Sequence, residues 1–292
     1  LGGLSPRLIE PGRLTVADVL KRQGYHTACV GKWHLGMDWT LKPGTTVTEL
    51  GIEPREQVFN VEYGEPIRNG PTSVGFDRYF GISASLDMVP YTFIENDRVT
   101  ALPTEDRDFP LMLGWPQGRC RKGPAAPGFE AADVLPTLTA KATEYIADRA
   151  KAGTPFFLYL PLAAPHTPIV PTPDWQGKSG LNPYADFVMA TDAAVGAVLA
   201  ALDKHGHNPS HVFRGHKADI FEGGHRVPFL VRWPGKVKAG TATARLTCLT
   251  DVFPTLAAAA GATVPETAAE DGVSFLPALT GADEARPPVV HH

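Results

Sequence analysis

The stretch GYHTACVGKWHLG, Gly24 to Gly36, decides how the rest of the chain reads. Tyr25, Thr27, Ala28, Cys29 and Val30 form a breaker-free run of small, β-branched and aromatic side chains, suited to a buried strand over residues 25–30. At its carboxyl end come Lys32 and His34, two apart, so an extended backbone turns both to one side with Trp33 opposite. Open α/β sheets bind ligands just beyond the carboxyl ends of their strands, which makes a lysine and a histidine there a candidate anion grip.

Working outward, residues 14–24 carry a helix signature. Thr15 can N-cap, Asp18 falls at the third helical position, Leu14 and Val19 can form a hydrophobic staple, and Gly24 supplies the left-handed stop. From residue 36 to about 127, frequent Gly and Pro with no sustained period predict loops and short strands. Residues 131–151 have Val134, Leu135, Leu138, Ala142, Tyr145 and Ile146 at helical spacing, with Pro136 in the first turn and Gly153 as stop. The apolar run over residues 156–162 predicts a strand buried on both faces, with His166 following its carboxyl end. A further helix is predicted over residues 183–204, its apolar face made of Phe187, Val188, Val195, Val198, Leu199 and Leu202. A strand over 227–233 and a helix over 250–260 follow, with Gly261 ending the latter. No apolar run precedes Val227 after Gly206, where helix–strand alternation demands a strand, so a gap is expected between 206 and 227. The alternation predicts an α/β fold, an open, mostly parallel sheet with helices on both faces.

Bulk properties narrow the function classes. The 292 residues are 43% hydrophobic, enough for a substantial core, and the net charge of -4 gives no basic surplus, so nucleic acid is not an expected partner. Cys29, Cys120 and Cys248 lie far apart with no C-x-x-C spacing, which indicates neither a zinc site nor a disulfide framework. No apolar run is read as approaching the roughly 20 residues of a membrane helix, so no membrane span is expected.

GYHTACVGKWHLG closely resembles the second signature of the type I sulfatases, formylglycine-dependent enzymes of the alkaline phosphatase superfamily. GFDRYFG (75–81), PLAAPHTPIVP (161–171), GHKADIFEGGHRVPFLVRWPGK (215–236) and TDVFPTLAAAAG (250–261) follow in the order that family shows. The resemblance implies an alkaline phosphatase/sulfatase-like fold and hydrolysis of sulfate esters, with a sulfated small molecule or glycan as substrate. By the same resemblance Lys32 and His34 contact the sulfate and the nucleophile, His34 and His166 are the catalytic pair, and His166 sits near the ester's leaving oxygen. Lys217 corresponds to the second sulfate-binding lysine. The resemblance also implies a calcium ion, and it is compatible with export to the periplasm, the lysosome or outside the cell. Two cations and a metal suit the anionic sulfate, and a histidine can protonate the departing alkoxide.

The sequence departs from the family in ways that bear on activity. No C-x-P-S-R occurs, so the cysteine that becomes formylglycine is not in this chain, and the aspartates and D-N-G of the calcium site are not found either. A fragment is expected: residues 1–285 as the sulfatase-like domain, and 286–292 as the start of a C-terminal segment whose subdomain is largely missing. The polypeptide as written is expected to be inactive alone. Two alternatives stay open, a phosphodiesterase or phosphonate monoester hydrolase of the same superfamily, and a non-catalytic binder of sulfated glycans or other anions.

Overall fold

The computed structural model describes residues 1–49, 51–204, 229–265, 267–282 and 286. Strand β1 (His26–Lys32) lies at the heart of a five-stranded open sheet. On one side it pairs in parallel with β2 (Arg78–Ile82), on the other with β7 (Phe156–Tyr159). β3 (Ile94–Glu95) and β4 (Arg98–Val99) extend the sheet beyond β2 as an antiparallel hairpin, giving the order β4-β3-β2-β1-β7. The sheet is therefore mixed: β2, β1 and β7 run parallel on one side, and β3 and β4 are antiparallel on the other. β5 (Glu105–Arg107) and β6 (Gly123–Ala125) pair separately, within the loop-rich region expected after residue 36.

Two glycines let the central strands close up at their carboxyl ends. A Cβ on Gly81 would stand 1.8 Å from the Gly31 carbonyl oxygen, and one on Gly31 would stand 2.2 Å from that of Pro161. Nothing larger than glycine fits either position.

β7 is shorter and more exposed than its apolar run predicts. It ends at Tyr159, which is 42% exposed, and no described strand pairs with its outer edge. Pro161 explains the early end: its carbonyl accepts from the Lys32 N–H (2.8 Å), yet it has no N–H to carry the ladder further.

Helix α1 (Val16–Arg22) begins with the predicted capping box, Thr15 and Asp18 each bonding the other's backbone N–H, and is followed by Gly24 at φ +84°. α2 (Val134–Ala152) covers one face of the sheet. Its Tyr145 meets Phe156 edge-on and donates to the His26 carbonyl (3.0 Å), while Lys141 lies over Phe80. Residues 131–133 form a 3-10 turn ahead of it, so Pro136 is the third α-helical residue, and Gly153 ends it at φ +63°. On the opposite face Phe76 stacks on Phe157 and Tyr159 and meets Trp33 edge-on.

α3 (Pro183–Lys204) spans the predicted residues and keeps Phe187 and Val198 of the predicted face inward, but only part of that face. Phe187, Ala190 and Ala194 pack with Leu135 of α2, whereas Val188 and Val195 are 41% and 42% exposed. Residues Pro183–Leu202 of this helix are also long and apolar enough, by length and composition, to cross a membrane, which corrects the reading that no run approaches that length. α4 (Val252–Ala259), preceded by a 3-10 turn at Leu249–Asp251, packs on α1, and α5 (Leu276–Leu279) packs on α4. Residues 229–233, the described part of the strand expected at 227–233, form no strand, and Phe229 and Leu230 are exposed. The gap expected between 206 and 227 lies outside the described residues.

Candidate active site

The ladder between β1 and β2 continues past the end of β1. Trp33 N–H donates to Ile82 O (3.0 Å) and His34 N–H to Ser83 O (2.9 Å). His34 then takes φ +52° and Gly36 φ +71°, turning the chain sharply over the sheet's edge. Gly36 is required there, since a Cβ would stand 1.9 Å from the Pro6 carbonyl oxygen. The Trp33 indole N–H closes the turn on Gly36 O (2.7 Å) and its ring is buried beside Phe76. Trp33 is buried, while Lys32 and His34 are half-buried and both reach Ser85.

Ser85 joins the two. Lys32 Nζ donates to Ser85 Oγ (3.3 Å), and Ser85 Oγ lies 3.3 Å from His34 Nδ1. The other ring nitrogen, Nε2, is 3.2 Å from the Leu1 carbonyl oxygen. Ser85 was not singled out from the sequence. The available signal was its place just after GFDRYFG, where the neighbouring parallel strand ends and ligand-contacting residues gather. Burial, above all, lowers the His34 pKa, the Leu1 carbonyl works against this, and the Lys32 ammonium lowers it further. The site is a half-buried ammonium bracketed by a serine hydroxyl, beside an imidazole held neutral.

The other predicted residues stand differently. His166 is exposed, in the loop that follows β7; its N–H donates to Ala163 O (3.2 Å) and its Nδ1 to Thr167 O (2.9 Å). The peptides before Pro165 and Pro168 on either side of it are cis. The loop begins at Pro161, whose carbonyl meets the Lys32 N–H, so His166 belongs to the same end of the sheet. Among the described residues no hydrogen bond joins it to Ser85 or His34. Lys217 lies outside the described residues.

None of the cysteines stands in this site's hydrogen-bond network. Cys29 and Cys120 are buried, and burial pushes both thiols up, that of Cys120 to about 12. Among the described residues no three His, Cys, Asp or Glu side chains converge, so they do not form the oxygen cage that calcium needs.

The family model described as Sulfatase matches residues 7–262. The chain belongs to the sulfatase family. It is similar to an N-acetylgalactosamine-6-O-sulfatase of Bacteroides thetaiotaomicron, 29% identical over an alignment covering 96% of this chain and 63% of that protein. It is also similar to the steryl-sulfatase of Rattus norvegicus, at 31% identity over 94% of this chain and 56% of the relative. A solved Bacteroides thetaiotaomicron structure, from work on the metabolism of multiple glycosaminoglycans, superposes with a TM-score of 0.75 at 29% identity, covering 98% of this chain and 68% of that one. This sulfatase-family chain therefore spans a little over half to nearly two thirds of the length of these two curated relatives. The fold match supports the open α/β architecture expected from the sequence, and the matched span contains Lys32, His34, Ser85 and His166.

Proposed function

We propose that this chain carries the sulfate-gripping half of a sulfate ester hydrolase, and that the longer protein converts a sulfated sugar to alcohol and inorganic sulfate. The observation that carries this reading is the Lys32–Ser85–His34 group at the carboxyl end of β1. A compact ammonium fixed by a neighbouring hydroxyl is preorganised to meet a sulfate oxygen, so little reorganisation is needed as charge develops on it. His34, kept neutral by burial, adds no second charge but locks the hydroxyl that brackets Lys32. His166, exposed in the neighbouring loop, acts as the proton donor to the leaving oxygen, and Lys217 supplies a second cation. Sugar sulfate as the substrate class is supported by the name of the N-acetylgalactosamine-6-O-sulfatase relative. Family membership supports calcium and formylglycine in the longer protein, with residues beyond those described holding them, and supports export as its destination.

The 292-residue polypeptide contains no C-x-P-S-R, so it binds the anion without turning it over. Two assays on the purified polypeptide test this. Hydrolysis of an aryl sulfate stays at background, and calorimetry detects a sulfated monosaccharide with unchanged affinity after calcium is chelated. Turnover that co-purifies with the protein, or loss of binding on chelation, contradicts the reading.

A further inference from the structure

Glu53 is a buried carboxylate that the grip itself does not use. Its side chain is fully enclosed, and it reaches across 49 positions to accept the Leu4 N–H (2.8 Å) through Oε1. Its Oε2 faces the Arg121 guanidinium at 3.7 Å. The segment it tethers is packed without slack. Gly2 N–H donates to Ser5 Oγ (2.8 Å), a Cβ on Gly2 would stand 2.0 Å from Glu53 Oε1, and one on Gly3 would stand 1.8 Å from Val89 O. The carbonyl at the head of that segment is the one that meets His34 Nε2. A carbonyl can only accept, so Nε2 must carry the proton. In a neutral imidazole Nδ1 is then the acceptor, the Ser85 hydroxyl donates to it, and the Ser85 lone pairs are left for Lys32.

We propose that Glu53 is a positioning residue for His34: by fixing residues 1–4 it places the carbonyl that selects the Nε2-protonated tautomer, and thereby sets the direction of the Ser85 hydroxyl toward Lys32. This rests on the reading of Lys32, Ser85 and His34 as one anion grip. His34 holds φ +52°, a conformation that persists only where its surroundings over-determine it, and the tether is part of those surroundings. The low His34 pKa, due first to burial, agrees with a neutral ring.

The test is two-bond proton–nitrogen correlation spectroscopy of the imidazoles in the full 292-residue chain, which separates the two neutral tautomers and the cation. In the wild type His34 gives the Nε2-protonated pattern. Glu53→Gln keeps an oxygen for the Leu4 N–H and preserves that pattern. Glu53→Met removes the acceptor at similar volume and shifts His34 to a mixture of tautomers, while the other nine histidines stay unchanged. Ser5→Ala loosens the same segment without touching Glu53 and gives a smaller shift in the same direction, which keeps the test available if Glu53→Met does not fold. A wild-type His34 in the Nδ1-protonated form, or an unchanged pattern in whichever of Glu53→Met and Ser5→Ala folds, overturns the proposal. Titration of inorganic sulfate into the wild-type sample tests the grip separately: failure to bind sulfate with the tautomer intact refutes the functional reading alone.

Discussion

At the scale of single residues, the site depends on one contact that spans 51 positions, Ser85 to His34. Lys32 and His34 were singled out because they follow an apolar strand inside a stretch that resembles a family signature, and the structure places both beside Ser85 at the end of β1. Ser85 was not, because its neighbourhood exists only once β1 and β2 pair in parallel and their ends meet. Ser85→Ala removes the hydroxyl that links ammonium and imidazole, a loss of about 1 kcal/mol, and should weaken sulfate affinity roughly five-fold in a calorimetric titration. Unchanged affinity would show that Lys32 needs no bracket. Gly81 is a second residue whose identity follows from geometry. In Gly81→Ala the new methyl meets the backbone oxygen of Gly31, which no side-chain motion relieves, and chemical denaturation should show a loss of about 3 kcal/mol. The sequence shows a glycine inside a strand, but not which carbonyl lies against it.

At the scale of elements, what the sequence says locally is what the structure keeps. α1 starts and stops where its capping box and Gly24 place it, since a cap is a contact between residues three apart. Thr15→Ala should cost about 1 kcal/mol, read as a lower denaturation midpoint with unchanged slope, and Thr15→Ser should restore most of it. α3 shows the opposite case. Apolar residues lie nearly all round it, so its sequence does not select between the Phe187, Ala190, Ala194 face and the Val188, Val195 face; contact with α2 decides. β7 falls between the two. Its apolar run marked a strand correctly, but its length was set by Pro161 and its exposure by its place at the sheet's described edge.

At the scale of the molecule, order along the chain was legible and lateral order was not. The helix–strand alternation gave the open α/β architecture, while the antiparallel β3–β4 hairpin at one edge has strands of two residues, too short to show a period. The whole fold also carries a pH signature. His26 and His34 both have lowered pKa values, each due first to burial. Unfolding restores them to about 6.5, so the unfolded state binds more protons just below that pH. The stability they confer is complete above about pH 6.5 and is lost as pH falls through the lowered folded values. Denaturation midpoints should therefore drop between neutral pH and mild acid before the carboxylates titrate, and replacing His26 with a neutral residue should flatten that drop. A midpoint constant across this range would contradict the burial assigned to both rings.

The central claim is that the carboxyl end of β1 grips sulfate through Lys32, and calorimetric titration of inorganic sulfate into the wild type and Lys32→Ala tests it most directly. Loss of a charge-assisted hydrogen bond of about 2 kcal/mol predicts saturable binding in the wild type and roughly 30-fold weaker binding in the variant. Equal affinity in the two proteins, or no binding in the wild type, would contradict the account.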